Sequence, residues 1–205
     1  MKSTAPGEAA GRPAGASGWD VALIGVFAAL IAALSLAPAI PVGLGVPLTL
    51  QTLAVALAGL VLGPWRGLAA VGLYLVLGLV GLPVFAGGGA GPAELLKPAA
   101  GYLLSFPLAV IITGLIARWV VRRARRPAWL WLSVAALAGG LVATHPLGIV
   151  GLATNLHLPL SRAWLVDLVY WPGDLVKAVI AGGVAAPVHR AFPRLMARPV
   201  EVAPA

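Results

Sequence analysis

The chain has no cysteine among its 205 residues. Disulfide frameworks, thiolate metal sites and cysteine nucleophiles are thereby excluded. Charge is nearly as scarce: Asp, Glu, Lys and Arg make up 10% of the residues, where a soluble domain carries about 25%. No G-x-x-x-x-G-K-[ST] run occurs, so the chain cannot supply a P-loop ATPase of its own, and energy, if any is used, comes from elsewhere. The three histidines, His145, His157 and His189, match no metal-ligand spacing. No nucleophile, base and orienting group stand together as a triad, which argues against an intramembrane enzyme.

What is present is apolar. Hydrophobic residues make up 60% of the chain and the mean hydropathy is +0.99, which describes an integral membrane protein. Uncharged windows run from Val21 to Trp65, Gly67 to Ala93, Pro98 to Ala117 and Pro127 to Ser161, and a spanning helix needs about 20 mostly apolar residues. Pro38, Pro41, Gly43, Gly45 and Pro47 divide the first window into helices over 21–37 and 47–63. Further spans are expected over 67–80, 100–119, 128–152 and 172–190. The expected fold is an all-α membrane protein with six transmembrane helices. The Ala-, Gly-, Pro- and Ser-rich stretch 1–18 is read as a disordered cytoplasmic tail, 19–192 as the membrane domain and 193–205 as a second cytoplasmic tail. The first apolar run, lacking a cleavage site followed by a soluble domain, is read as a retained helix.

The net charge of +8 invites a nucleic-acid reading, but the basic residues sit in short segments between apolar runs. With the N-terminus inside, Lys2, Arg12, Arg66, Arg118, Arg122, Arg123, Arg125, Arg126, Arg190, Arg194 and Arg198 are cytoplasmic and only Lys97 and Arg162 are outside. This is the positive-inside bias. Both termini are then cytoplasmic, and the Arg118–Arg126 cluster sets topology and touches anionic lipid. The segment 81–98 and the start of the last span share the outer side.

Asp174 and Lys177 open that last span. Three residues apart, they share a helix face, and charge at membrane depth normally faces a bundle interior or a cavity. Two readings stand: a structural ion pair at a helix N-terminus, or a ligand contact. Asp167, outside the span, is expected to be solvated. The segment 81–98 is a long connector or a ligand-facing loop whose glycines admit close backbone approach. Thr49, Gln51 and Thr52 line a pocket or bond between helices. Ala28, Ala29, Ala32 and Ala33 form two small-xxx-small pairs for internal packing or for an external helix.

Three stretches together resemble the BioY proteins, the biotin-specific S components of energy-coupling factor (ECF) transporters. They are Gly45-Val46-Pro47-Leu48-Thr49-Leu50-Gln51-Thr52 with Leu62-Gly63-Pro64-Trp65-Arg66-Gly67, then Gly81-Leu82-Pro83-Val84-Phe85-Ala86-Gly87-Gly88, and Pro172-Gly173-Asp174-Leu175-Val176-Lys177-Ala178. The resemblance runs from about Val21 to Arg190. It implies six helices in a bacterial cytoplasmic membrane, a pocket near the outer face, and docking through the first span, by Ala28/Ala32 and Ala29/Ala33, onto a transmembrane coupling subunit driven by two ATPases. No cofactor is implied, biotin being cargo. One stretch departs: where the family usually has Gly-Pro-Thr-Gly-Gly-Tyr, this chain has Lys97-Pro98-Ala99-Ala100-Gly101-Tyr102.

For biotin, the resemblance implies that Asp174 accepts from a ureido N–H, while Lys177 donates to a ligand oxygen or holds Asp174. Phe85, Tyr102 and Trp171 wall the fused rings, with Gln51 at the pocket edge. The carboxylate falls to Lys97 or to a backbone nest at Gly87, Gly88 and Gly89. The alternatives are the same scaffold with another vitamin, or an assembly subunit without a ligand.

Overall fold

A computed structural model describes residues 17–42, 46–123 and 129–196. The expected tail segments 1–16 and 197–205, and Gly45, Arg125 and Arg126 of the sequence motifs, lie outside the described residues. The described residues form helices and short turns, with no strand among them beyond isolated bridges.

Helix α1, Gly18–Leu36, starts on Ser17, whose hydroxyl accepts from the Asp20 amide and so satisfies one orphan donor of the first turn. The chain then doubles back through an antiparallel bridge, Ile40 and Leu48 exchanging both backbone hydrogen bonds at 3.0 and 2.8 Å. That pairing holds Pro47 and Leu48 extended, so α2 spans Gln51–Leu62 rather than beginning at 47. Helix α3, Pro64–Leu79, follows after Gly63 alone. Gly63 takes φ 80°, a region glycine enters without steric cost, and Pro64 supplies the preset φ of a first helical turn. The corner between the helices expected over 47–63 and 67–80 is therefore a single residue.

The segment after α3 is not structureless: it makes two 3₁₀ turns, Ala86–Gly88 and Pro92–Leu96. Helix α4 covers Ala100–Arg123, α5 Trp129–Gly139 and α6 His145–Asn155, the last two joined without interruption by a π-helical turn at Gly140–Thr144. Pro146 explains that turn. Its ring would meet the carbonyl four residues back and it has no N–H to give, and the wider turn instead lets the His145 amide bond to Gly140 O. Helix α7, Leu160–Asp167, was not anticipated from hydropathy, and α8 spans Trp171–Ala191.

Helix α1, helix α4 and the continuous α5–α6 rod are long and apolar enough to cross a bilayer, and α7 with α8, bent by 49°, makes a fourth candidate. At 12 and 16 residues, α2 and α3 measure about 18 and 24 Å, against a hydrocarbon core of about 30 Å.

Two apolar clusters share α2 and α4. One joins Leu57, Leu60, Leu132, Ala135, Ala181 and Ala185 across α2, α5 and α8, and the other joins Ile31, Val55, Val71, Tyr74, Phe106 and Val110 across α1 to α4. Small residues bring backbones close. At Gly151, an added Cβ would lie 2.6 Å from Gly101 Cα, so α4 and α6 touch backbone to backbone. Leu175, Val176, Val179, Ile180 and Val184 of α8 remain exposed, a surface suited to lipid rather than water. At the opposite end from Asp174, Arg66 ties the bundle together: it pairs with Asp20 at 3.3 Å and donates to Leu195 O at 2.9 Å.

Candidate functional site

The first turn of α8 and the first turn of α2 meet at the head of the bundle, and three polar side chains close on one another there. Lys177 Nζ donates to Asp174 Oδ1 at 2.9 Å and to Thr52 Oγ1 at 3.1 Å, and the Thr52 hydroxyl lies 3.1 Å from the same carboxylate oxygen. The spacing of three residues on α8 aligns the pair, as expected. Lys177 is buried at 8% exposure, and a buried ammonium is tolerable only with partners of this kind. Among the described residues, the second carboxylate oxygen, Asp174 Oδ2, accepts no hydrogen bond, with His145 Nε2 standing 3.9 Å away. It faces a cavity.

That cavity holds about 490 Å³ between α2, α4, the α5–α6 rod and α8. Its walls are apolar, from Val55, Ala56, Phe106, Ala109, Ala136 and Leu137 among others, and its polar points are Thr52, Thr113, Thr144, His145, Asp174 and Lys177. The π turn places Gly140, Leu141 and Thr144 on this wall, consistent with the tendency of such turns to occur at functional sites. A second, smaller cavity of about 90 Å³ lies under the 46–49 link and the 85–94 turns, and shares Thr52, Phe106, Thr144, Asp174 and Lys177 with the first. The charged pair thus stands between two spaces.

Of the residues singled out from the sequence, Asp174, Lys177 and Trp171 line the larger cavity, and Gln51, Phe85 and Tyr102 line the smaller one. Gln51 Nε2 donates to Tyr74 Oη at 2.5 Å. Phe85 is buried, its ring edge-on to Tyr74 at 5.4 Å and seated over Gly78, where any Cβ would collide with it. Gly87 and Gly88 lie outside both cavities, exposed, with φ of 68° and 78°. The Gly88 amide is committed to Phe85 O at 2.9 Å, so these glycines shape the turn that seats Phe85 instead of presenting amides to the cavity. Lys97 is also outside, its ammonium 2.6 Å from Glu94, and it is Glu94 that reaches the smaller cavity.

On α1, Ala28 is buried in the interior and Ala32 packs against the same cluster, whereas Ala29 and Ala33 are exposed. The two small-residue pairs therefore face different surroundings.

Asp167 overturns its expectation. It is completely buried, not solvated. Its Oδ1 accepts from Tyr102 Oη at 2.7 Å, its Oδ2 accepts from Trp171 Nε1 at 2.8 Å, and His145 Nδ1 lies 2.9 Å from Oδ2. Three donors from α4, α6 and α8 stabilise a carboxylate that burial alone would penalise heavily. Sequence reasoning missed it because α7 was missed: with α7 carried into α8, Asp167, Trp171 and Asp174 share a face. For His145, the available signal was a titratable residue beside a proline in the middle of an apolar span.

With that geometry in place, comparison with known proteins is informative. The BioY family model matches residues 10–194. Among curated relatives, the biotin transporter BioY of Rhodobacter capsulatus is 46% identical over 189 residues, covering 87% of this chain and 98% of that protein. The biotin transporter BioY of Rhizobium etli is 38% identical over 182 residues, covering 87% of this chain and 97% of that one. Among solved structures, the S-component for biotin from an ECF-type ABC transporter superposes with a TM-score of 0.78 at 28% identity, over 84% of this chain and 91% of that chain. Sequence similarity over most of the chain and a shared helical arrangement agree: the chain belongs to the BioY family.

Proposed function

We propose that this protein binds biotin at the Asp174–Lys177 site and serves its uptake across the membrane, as the S component of an ECF-type transporter. It is a transporter component and not an enzyme, in keeping with its relatives, which are named as biotin transporters. One observation carries the assignment of the site: Asp174 has Oδ1 fixed by Lys177 and Thr52 and leaves Oδ2 open on a largely apolar cavity. Biotin has the complementary chemistry, a fused apolar bicycle with two ureido N–H donors. Asp174 Oδ2 accepts one of them, and Trp171 and Phe106 flank the rings. Lys177 has three N–H donors and spends two within the protein. The third, together with the second amide hydrogen of Gln51, serves the ligand carboxylate on the side of the smaller cavity. Phe85 and Tyr102 close that side.

The same reading places six crossing segments in a bacterial cytoplasmic membrane, with 19–192 as the membrane domain and both tails inside. The short α2 and α3 cross as a pair whose ends are extended by the 46–50 link and the 80–98 turns. The family relationship and the arginine distribution support it. Ala29 and Ala33, exposed on α1, are the pair that docks onto the coupling subunit, which works with two ATPase subunits, and no cofactor is required.

Calorimetry tests the ligand and the site together. The purified chain is expected to bind biotin far more tightly than thiamine or riboflavin, and Asp174→Ala to weaken binding by about five- to a hundredfold, the cost of a buried N–H left without its acceptor. Equal affinity in wild type and Asp174→Ala would refute the site. Co-purification with the coupling subunit tests docking: Ala33→Trp is expected to abolish it while biotin binding persists.

A further inference from the structure

Among the described residues lining the larger cavity, His145 is the one ionisable side chain that the reading above leaves without a task, and its surroundings are specific. The side chain is 4% exposed. Nδ1 is held by the Asp167 carboxylate at 2.9 Å. Because Asp167 also accepts from Trp171, which has only a donor to offer, and from Tyr102, the hydrogen of the His145 contact resides on Nδ1. Nε2 lies 3.9 Å from Asp174 Oδ2, too far for a hydrogen bond, and both side chains line the larger cavity. The Trp171 ring lies 5.1 Å from the imidazole, tilted by 40°.

Among the described residues, His145 meets Asp167 from α7 and Asp174 and Trp171 from α8; Tyr102 from α4 bonds to the first carboxylate, and Lys177 from α8 and the neutral Thr52 from α2 to the second. A neutral imidazole would turn the Nε2 lone pair toward a carboxylate oxygen, and the interior would hold two carboxylates against one ammonium. With Nε2 protonated, the lone-pair conflict disappears and the charges balance, Asp167 and Asp174 against His145 and Lys177. The cavity then presents a donor and an acceptor 3.9 Å apart, close enough for two hydrogen bonds of about 2.9 Å to converge on neighbouring ligand atoms. A ureido edge offers that pair, an N–H beside a carbonyl oxygen.

We infer that His145 is a second recognition group of the pocket: its imidazolium donates from Nε2 to the ureido oxygen, while Asp174 Oδ2 accepts from the adjacent N–H. Asp167 is the positioning residue that orients the ring and serves as its counter-ion. The assignment rests on biotin being the ligand, and it explains why a fully buried carboxylate is built next to the pocket without lining it. It also gives the site selectivity for the oxygen of the ligand, beyond its N–H groups.

The test is calorimetry of biotin and 2-iminobiotin against the purified full chain, with wild type, His145→Gln and Asp167→Asn. The analogue replaces the ureido oxygen by an imino group that protonates to a donor, so it meets the His145 donor unfavourably. Wild type is expected to favour biotin over the protonated analogue by at least about tenfold. His145→Gln is expected to bind biotin roughly ten- to a hundredfold more weakly, the usual scale for losing a charge-assisted hydrogen bond, with less discrimination between the two ligands. Asp167→Asn, which removes the counter-ion and leaves the ring in place, is expected to lower the discrimination likewise. A preference between the two ligands that is unchanged in His145→Gln overturns the inference. Should either variant fail to fold, the wild-type preference alone decides: equal binding of both ligands refutes the His145 contact. Absence of biotin binding by wild type would instead refute the biotin reading itself.

Discussion

The Asp174–Lys177 pair lends itself to a double-mutant cycle that separates its structural from its ligand-binding role. Lys177 Nζ has two partners, Asp174 Oδ1 at 2.9 Å and Thr52 Oγ1 at 3.1 Å, and the two charged side chains are 10% and 21% exposed. Removing the carboxylate with Asp174→Ala strands an ammonium whose remaining partner is a neutral hydroxyl. Breaking a buried pair from one side costs roughly 3–5 kcal/mol, and the partial exposure of Asp174 places this case near the lower end, about 3 kcal/mol. Removing both charges with Asp174→Ala and Lys177→Met eliminates the stranded charge, and apolar replacement of a buried pair is often neutral or stabilising. The double variant is therefore expected to melt within about 1 kcal/mol of wild type, recovering roughly 2 kcal/mol of the loss in Asp174→Ala, and Lys177→Met alone completes the cycle. Thermal unfolding of the purified protein in detergent, without ligand, measures this. Biotin calorimetry on the same samples is expected to show weakened binding in both variants, because neither has the acceptor. The reasoning fails if the double variant is as unstable as Asp174→Ala, or if it binds biotin like wild type.

Other consequences follow from packing. Gly151→Val inserts a side chain where the Gly101 backbone stands 2.6 Å from an added Cβ, and is expected to lower stability by about 1–3 kcal/mol; Gly72→Ala, with open space at that position, serves as the control and should not lower the melting temperature. Gly78→Leu displaces the Phe85 ring that sits on it. The lost Tyr74–Phe85 contact, worth about 0.5–1.5 kcal/mol, predicts up to roughly tenfold faster biotin release in a stopped-flow chase, with the helical circular dichroism unchanged. Arg66→Ala removes a half-exposed ion pair with Asp20, so its cost is expected to stay near 1 kcal/mol or below and to shrink as salt is raised. A larger loss would assign more weight to the Arg66–Leu195 hydrogen bond.

Much of this was legible in the sequence because it depends on short-range pattern. Long uncharged windows marked α1, α4 and the α5–α6 rod, since bilayer thickness and helical rise together set the length of a span, and the apolar run after Lys177 marked α8. Asp174 and Lys177 stood out because their spacing alone puts them on one face. Phe85 and Tyr102 were placed near the pocket by the family resemblance. What was hidden depends on contacts distant in the chain. The burial of Asp167 is made by Tyr102, 65 positions away, and by His145, 22 positions away, and no local pattern announces those donors. The start of α2 was misplaced because pairing of Leu48 with Ile40 competes with helix over Pro47–Leu50. Gly87 and Gly88 have the conformational freedom expected of them, but their turn closes on Phe85, and that direction is decided by tertiary packing.

The π turn at Gly140–Thr144 has a consequence for how this helix tolerates change in length. A π turn holds one residue more than an α turn over about the same rotation, whereas one residue added to an unbroken α-helix turns everything beyond it by about 100° around the axis. The turn at 140–144 thus absorbs a residue, and α6 keeps the phase that sets Gly148 and Gly151 against α4 and His145 against Asp167. Deleting one residue within 140–144 would let an ordinary α turn close with that phase kept, while the wall that Gly140, Leu141 and Thr144 give the cavity would be rebuilt. A residue added to α6 beyond His145 has no such buffer and would turn Gly148 and Gly151 off the face of α4. Length variation in this rod is thus confined by rotational register, and not by hydrophobicity: the one place that takes up a residue without rotating its neighbours is the turn that also forms the pocket wall.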